Sequence, residues 1–184
     1  MTNGNKPAIH KNFLFKLRPI LRWLIKLRGS IRAIAGGFAL GTFLAFTPTI
    51  GVQVVLAFFL ATLFGLNRPA AVIPVWITNP VTLAPIFTFN YWVGCLFLQG
   101  PPVSEVSQKL LTIARELARL DIFAIREQVI IFVQLGGEII IPLLVGSLVV
   151  GSLAGLGSYL VVYRLLTFLH LRRMRKKAAR NKDW

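Results

Sequence analysis

The sequence predicts an all-α fold: a polytopic integral membrane protein with broken or re-entrant helices plus an amphipathic helix. The 184-residue chain is 55% hydrophobic with a mean hydropathy of +0.69, unlike a typical soluble protein. Its net charge of +15 is concentrated at the ends, with eight Lys or Arg in each of Met1–Arg32 and Arg164–Trp184 and five between them. Long apolar stretches are interrupted by short polar segments that contain proline.

The length allows one domain, which we divide by charge and hydrophobicity into five segments. They are a basic leader with an interfacial helix (1–32), a broken-helix membrane core (33–98), an extramembrane amphipathic helix (99–128), a C-terminal membrane segment (129–163) and a basic cytoplasmic tail (164–184).

In the leader, Pro19 is a natural first residue of a helix, and the apolar residues that follow it share one broad face. Arg22 and Lys26 lie on the opposite face. This pattern predicts an interfacial helix on an anionic membrane surface, with Trp23 at headgroup depth. The alternative is a simple topology signal that forms no helix.

Basic ends that flank apolar segments favour the positive-inside rule over nucleic-acid binding. Both termini are therefore expected in the cytoplasm, with the chain crossing the membrane an even number of times. Four crossings satisfy this, and so does a re-entrant hairpin at Ala33–Leu66 followed by two crossings. Anionic lipid headgroups are the predicted partners of Arg22, Lys26, Arg172 and Arg173.

The first interruption is Thr47-Pro48-Thr49-Ile50-Gly51, within the apolar stretch Ala33–Leu66. As one helix, this stretch is about 50 Å long, against about 30 Å for the hydrocarbon core. Pro48 and Gly51 are therefore expected to break it into two short helices. The backbone groups that such a break frees are tolerated only inside protein or against a water-filled cavity.

The second interruption is Thr78–Thr82, followed by Pro85. Pro80 and Pro85 are predicted to break the stretch Pro69–Leu98 as Pro48 breaks the first. Because Pro80 has no N–H and suits the first turn of a helix, Asn79 or Thr78 is placed to cap that helix.

Small residues predict close helix packing in two places. Gly37 and Gly41 lie one turn apart in the first half-helix. Ile139–Tyr163 runs for 25 residues without a charge and is the clearest spanning segment. Its small residues include Gly146, Ser147, Gly151, Ser152, Gly155 and Gly157.

Ser104–Gln128 is predicted to be an amphipathic helix, with Ser104 as its cap. Its apolar residues recur at spacings of four and three: Val106, Leu110, Ile113, Leu117, Leu120 and Ala124. This apolar seam is expected to pack on the protein's own membrane segments. The alternative is pairing with another subunit, which makes the protein a homo-oligomer.

The segment Gly36–Gly94 resembles the bacterial membrane domain of unknown function 2062. The resemblance is carried by GGFALGTFLAFTPTIGVQ at Gly36–Gln53, LNRP at Leu66–Pro69, WITNPVTLAP at Trp76–Pro85, and by Tyr91 and Gly94. It implies a prokaryotic integral membrane protein and no established activity. Some relatives are fused to glycosyltransferase domains, which points to cell-envelope or lipid-linked chemistry.

The polar residues of this apolar half include Thr78 and Asn90 and five candidate substrate contacts. Two helices are expected to begin near Gly51 and Val81, and their N-termini offer free N–H groups and partial positive charge. If these ends converge, they form a site for an anion or phosphate. The predicted substrate contacts are Thr47, Thr49, Gln53, Asn79 and Thr82. The alternative is that these polar residues satisfy one another across helix contacts.

No catalytic residue, metal site or cofactor is predicted, because the two histidines lie in the basic ends and the apolar region holds no carboxylate pair. The predicted function is transport or translocation of an anionic or lipid-phosphate substrate. The alternative is a non-catalytic membrane scaffold that recruits cell-envelope partners through Ser104–Gln128.

Overall fold

The computed structural model describes residues 29–49, 51–119, 126, 130 and 133–180, without the side chains of 173 and 175–180. Over these residues the chain forms six α-helices and no strand, which confirms the all-α class. They are α1 (Ile31–Phe46), α2 (Gln53–Leu63), α3 (Arg68–Val75), α4 (Pro80–Gly94), α5 (Val103–Leu117) and α6 (Gly137–Arg180). The predicted leader helix, with Arg22 and Lys26, lies outside the described residues.

In the described part of the chain, one helix is long and apolar enough to cross a membrane: α6, between Gly137 and Arg172. The pair α3 and α4 qualifies only when it is taken as one broken span, because the two helices are bent by 85° at the break. By length and composition, the described chain therefore contains one such span, or two if the bent pair is counted.

Helices α1 and α2 form a hairpin, so the predicted break at Pro48 and Gly51 is confirmed. Helix α1 ends at Phe46, and Gly51 takes the left-handed conformation, with φ of 82°, in the turn before α2. After α2 the Asn67 N–H donates to the Ala33 carbonyl at 3.0 Å, so the chain returns to the level where α1 began.

The close helix contact predicted at Gly37 and Gly41 is confirmed, and its partner is α3. A Cβ atom at Gly41 would clash with the Ala71 carbonyl, and one at Gly37 would lie 2.5 Å from the Asn67 carbonyl. The side chain of Asn67 caps α3 by accepting from the Ala70 N–H. The two glycines therefore allow the backbones of α1 and α3 to touch.

Helix α6 packs against both α1 and α4 through its small residues. Gly146 lies against the Asn90 carbonyl, Ser147 is buried, and Gly151 and Gly155 lie against α1. The predicted tight packing is confirmed at these four positions. It is wrong at Gly157, where a Cβ would meet nothing within 4 Å, and at the exposed Ser152.

The basic tail continues α6 as helix as far as Arg180. The tail is rich in Leu, Lys, Arg and Ala, which are strong helix formers, so no local signal ends the helix at Arg164.

Helix α5 begins at Val103, after Pro102, and no side chain caps it, so the prediction of Ser104 as the cap is wrong. The cap position is Pro102, two residues before Ser104, and proline fixes the backbone there. The apolar seam lies against α4 and the start of α6, as expected. The buried seam residues are Val106, Leu110, Ile113 and Leu117; Leu120 and Ala124 lie outside the described residues.

Many large apolar side chains are exposed on α2, α4 and α6. They include Val55, Phe58, Phe59 and Leu63 on α2, Val81, Phe89 and Trp92 on α4, and Leu148, Leu153, Leu156 and Val161 on α6. An exposed apolar surface of this extent is typical of contact with lipid or another apolar partner.

Candidate functional site

The C-terminal end of α1 is closed by side chains from three parts of the chain. The last carbonyls of a helix have no partner within it. Along Leu44–Phe46 these carbonyls accept hydrogen bonds in turn from Thr47 Oγ1 at 2.8 Å, from Thr78 Oγ1, and from Asn90 Nδ2 at 2.8 Å. The end of α1 at the first break therefore lies inside protein, and neighbouring side chains satisfy the carbonyls that have no partner within the helix.

The same bonds bring the two breaks together. Thr78 belongs to the second break, and its hydroxyl reaches the Ala45 carbonyl beside the first. Thr47 and Thr49 lie next to this contact, with their hydroxyl oxygens 3.3 Å apart. The contact joins the second break to the C-terminal end of α1, and not to the start of α2.

The start of α4 is closed by a capping box, and of the two predicted caps, Asn79 and Thr78, it is Asn79 that caps the helix. Asn79 Oδ1 accepts from the N–H groups of Val81 and Thr82, at 2.9 and 3.1 Å. In return, Thr82 Oγ1 accepts from the Asn79 N–H at 3.0 Å and donates to the Ile77 carbonyl at 2.6 Å. Because Pro80 has no N–H, the donors of this first turn are already occupied. An anion binding here would have to displace the Asn79 side chain.

The start of α2 is different, because no side chain in the described chain caps it. Its cap position is Val52, which offers no side-chain oxygen. Gln53, the first residue of α2, and Thr47 are both buried, and Thr49 is half-buried. The starts of α2 and α4 were both expected to hold an anion. In the described chain, only the start of α2 has an uncapped first turn with polar side chains beside it.

The predicted breaking residues divide into two kinds. Pro48 and Gly51 lie in the turn between α1 and α2, and Pro80 is the first residue of α4. Pro85 lies inside α4 and does not break it, so its assignment as a break is wrong. At this position, one turn into the helix, proline removes a single backbone bond, to the Val81 carbonyl, and the helix continues.

Asn90 is the polar residue that the substrate-contact prediction omitted. It is fully buried on α4, and its Nδ2 donates to Phe46 O and to Ser147 Oγ, at 2.8 and 3.0 Å. Its Oδ1 is also buried and has no hydrogen-bond partner among the described residues. The sequence signal was a single Asn in the apolar run Val81–Leu98, but nothing in the sequence indicated which groups it would meet.

Metal-ligating side chains do not cluster in this region. Over the described residues, no group of three or more His, Cys, Asp or Glu lies close enough to hold a metal ion. The polar groups of both breaks are hydroxyls, amides and backbone atoms.

The break motifs that carry the family resemblance are the ones that form this region. No curated protein and no solved structure matches the chain. A family model described as "Uncharacterized protein conserved in bacteria (DUF2062)" matches residues 15–175, which cover the described helices almost entirely. The chain therefore belongs to the bacterial DUF2062 family.

Proposed function

We propose that this chain is a multi-pass protein of the bacterial inner membrane that transports or translocates an anionic or lipid-phosphate substrate. The observation that carries the proposal is the uncapped start of α2, which lies beside the buried Thr47 and Gln53 inside an apolar body. In a medium of low dielectric constant, helix N–H groups and side-chain donors attract an anion more strongly than they do in water.

The charges of the described helices support a membrane placement. Val162 and Leu166 of α6 pack with Ile34 of α1 and Ala70 of α3, so Arg32, Arg68 and Arg164 all lie towards one end of the bundle. Between Glu138 and Arg164, α6 is about 40 Å long, enough to cross the hydrocarbon core of about 30 Å. We place the basic end at the cytoplasmic surface.

The hairpin of α1 and α2 supports a re-entrant element on that side. Helix α1 has 16 residues and is about 24 Å long, too short to cross comfortably. The chain returns to the level of Ala33 after α2. If α3 and α4 then cross as a broken span and α6 crosses back, both termini are cytoplasmic. This is the hairpin arrangement with two crossings.

Beyond Arg164, α6 continues past the packed body, where Arg172 is exposed. The guanidinium of Arg172 lies 4.5 Å from the centre of the Phe168 ring. A basic helix with exposed apolar side chains next to a membrane is suited to anionic headgroups, which we propose as partners of Arg172 and Arg173.

The proposal is tested in proteoliposomes with two probes: radiolabelled inorganic phosphate and a fluorescent phosphatidate whose leaflet is read by dithionite quenching. Gln53→Leu preserves the side-chain volume and removes the buried amide. We expect it to lower transport of the active probe at least about tenfold, a loss of about 1.4 kcal/mol of transition-state stabilisation.

The matched control is Thr62→Ala on the same helix, because the Thr62 hydroxyl is exposed and donates to the Phe58 carbonyl one turn earlier. Wild-type transport by this variant is expected. Equal transport by Gln53→Leu and wild type, or no transport of either probe by wild type, would contradict the proposal.

If the protein is a scaffold instead, the polar face of α5 is the surface that would bind the partner protein. Its apolar seam is buried, whereas Glu105 and Lys109 form an exposed ion pair at 2.8 Å, and Arg115 and Glu116 are also exposed. Recruitment of a partner protein that is lost in Arg115→Glu and kept in Gln53→Leu would favour the scaffold over transport.

A further inference from the structure

We infer that Arg68, the ring of Phe58 and the exposed face of α2 form a binding site for a phospholipid whose headgroup carries a net negative charge. The Arg68 guanidinium binds the phosphate, and the acyl chains lie along α2. The inference rests on the membrane placement in the proposed function, and it does not require transport.

The side chain of Arg68 turns back along α2. Although Arg68 follows the end of that helix, its guanidinium carbon lies 5.3 Å from the centre of the Phe58 ring. Phe58 is the middle residue of α2, about 7.5 Å along the axis from the last residue, Leu63. An arginine that only contacts the membrane surface extends away from apolar side chains, towards the headgroups. The guanidinium of Arg68 is instead held against an apolar face.

The face of α2 around this ring is apolar and uncovered. Val55, Phe58, Phe59 and Leu63 are each at least half exposed, and their spacings place them on one broad side of the helix. Hydrocarbon chains can lie along such a face. A cation beside an apolar face matches a phospholipid, which joins a phosphate to acyl chains, better than it matches a free phosphate ion or an acidic peptide.

The Arg68 guanidinium has donors that the described chain does not use. Within the described residues it forms no ion pair and no hydrogen bond. Stacking on a ring occupies the flat face of a guanidinium and leaves the N–H groups of its edge free to donate to two oxygens of a phosphate. Arg68 is therefore oriented to bind a phosphate while it stays stacked on Phe58.

The chain itself does not explain a positive charge at this position. The first acidic residue of the sequence is Glu105, and the described acids lie on α5 and at the start of α6. Arg68 is also the first residue of α3, where a positive charge is unfavourable to the helix. Arg32 and Arg164, towards the same end of the bundle, add to the positive charge. An external anion is the partner that this charge fits.

The test uses the full-length protein in detergent and phosphatidylglycerol that carries a photoreactive diazirine in one acyl chain. After illumination, proteolysis and mass spectrometry locate the crosslinked residues. We expect labelling of α2 that saturates with the probe. Unlabelled phosphatidylglycerol should compete for it, whereas inorganic phosphate and phosphatidylcholine with the same acyl chains should compete much less.

Two substitutions test the two parts of the site. Arg68→Gln removes the charge and should raise the half-saturating concentration of the probe on α2 at least about fivefold, or about 1 kcal/mol. Phe58→Leu keeps the net charge and an apolar surface but removes the ring beneath the guanidinium, and it should raise the same concentration several-fold. If Arg68→Gln does not fold, Phe58→Leu decides the test.

Arg115→Gln is the matched control, because it removes one exposed charge from α5, which packs on α4 and the start of α6. Labelling of α2 should then equal that of the wild type. Equal losses in Arg68→Gln and Arg115→Gln, the result expected from net charge alone, would overturn the inference. So would labelling of α2 that both site variants leave unchanged, or full competition by inorganic phosphate or phosphatidylcholine.

This measurement separates the inference from the proposed function. Labelling of α2 that depends on Arg68, together with no movement of either phosphate probe in proteoliposomes, contradicts transport and leaves the lipid site in place. Transport of a probe without such labelling contradicts the lipid site and leaves the function in place.

Discussion

Replacing Asn79 by leucine separates a structural role at the second break from a role in binding. The substitution removes the acceptor of the Val81 and Thr82 N–H groups, while leucine stays compatible with an apolar setting. Loss of a helix cap costs about 1 kcal/mol. The part-buried Thr82 N–H is left unpaired, which adds about 1–2 kcal/mol. We expect Asn79→Leu to lower the free energy of unfolding by about 2–3 kcal/mol.

The assay is denaturant unfolding in detergent, combined with transport measured per folded molecule in proteoliposomes. Asn79→Asp is the matched control, because a carboxylate keeps the acceptor and favours the positive end of α4, so its stability should stay within about 0.5 kcal/mol of wild type. We expect Asn79→Leu to lose stability first and to retain transport in proportion to its folded fraction. A variant with wild-type stability and no transport would refute this reasoning and identify Asn79 as a substrate contact, as the sequence analysis proposed.

Three further predictions concern packing and topology. Gly41→Ala places a Cβ against the backbone of α3 and should lower the free energy of unfolding by at least about 2 kcal/mol. The control Gly157→Ala lies in open space, so its free energy of unfolding should stay within about 0.5 kcal/mol of wild type, and equal melting temperatures of the two variants would contradict the contact. Leu110→Ala empties a fully buried position of α5 and should cost about 2–5 kcal/mol, whereas the neighbouring exposed Leu111→Ala should cost much less in the same denaturation experiment. On a Cys95→Ala background, single cysteines at positions 3 and 181 should both be labelled from the cytoplasmic side by an impermeant maleimide, and labelling from opposite faces would exclude the proposed topology.

The sequence alone determined where the helices break and which faces carry small residues. Pro48, Gly51 and Pro80 act through their own backbone, by a missing N–H or a left-handed conformation, and these effects are local. The same reasoning placed a cap at Asn79 or Thr78 and identified Gly37 and Gly41 as a contact face. It failed at Pro85, where the helix tolerates the lost bond, and at Ser104, where the choice of first helical residue depends on the preceding Pro102.

Only the tertiary structure decided what the polar residues of the breaks contact. Thr78 reaches a carbonyl 33 positions earlier in the chain, and Asn90 meets partners 44 positions earlier and 57 positions later. No periodicity or spacing encodes such pairs, because they depend on the 85° bend between α3 and α4 and on the glycines that set how closely α6 approaches α4. The substrate contacts were proposed from helix ends that the sequence could locate. Whether the donors at those ends are free or already bonded depends on packing, which closes the start of α4 with its own side chains and leaves the start of α2 without a cap.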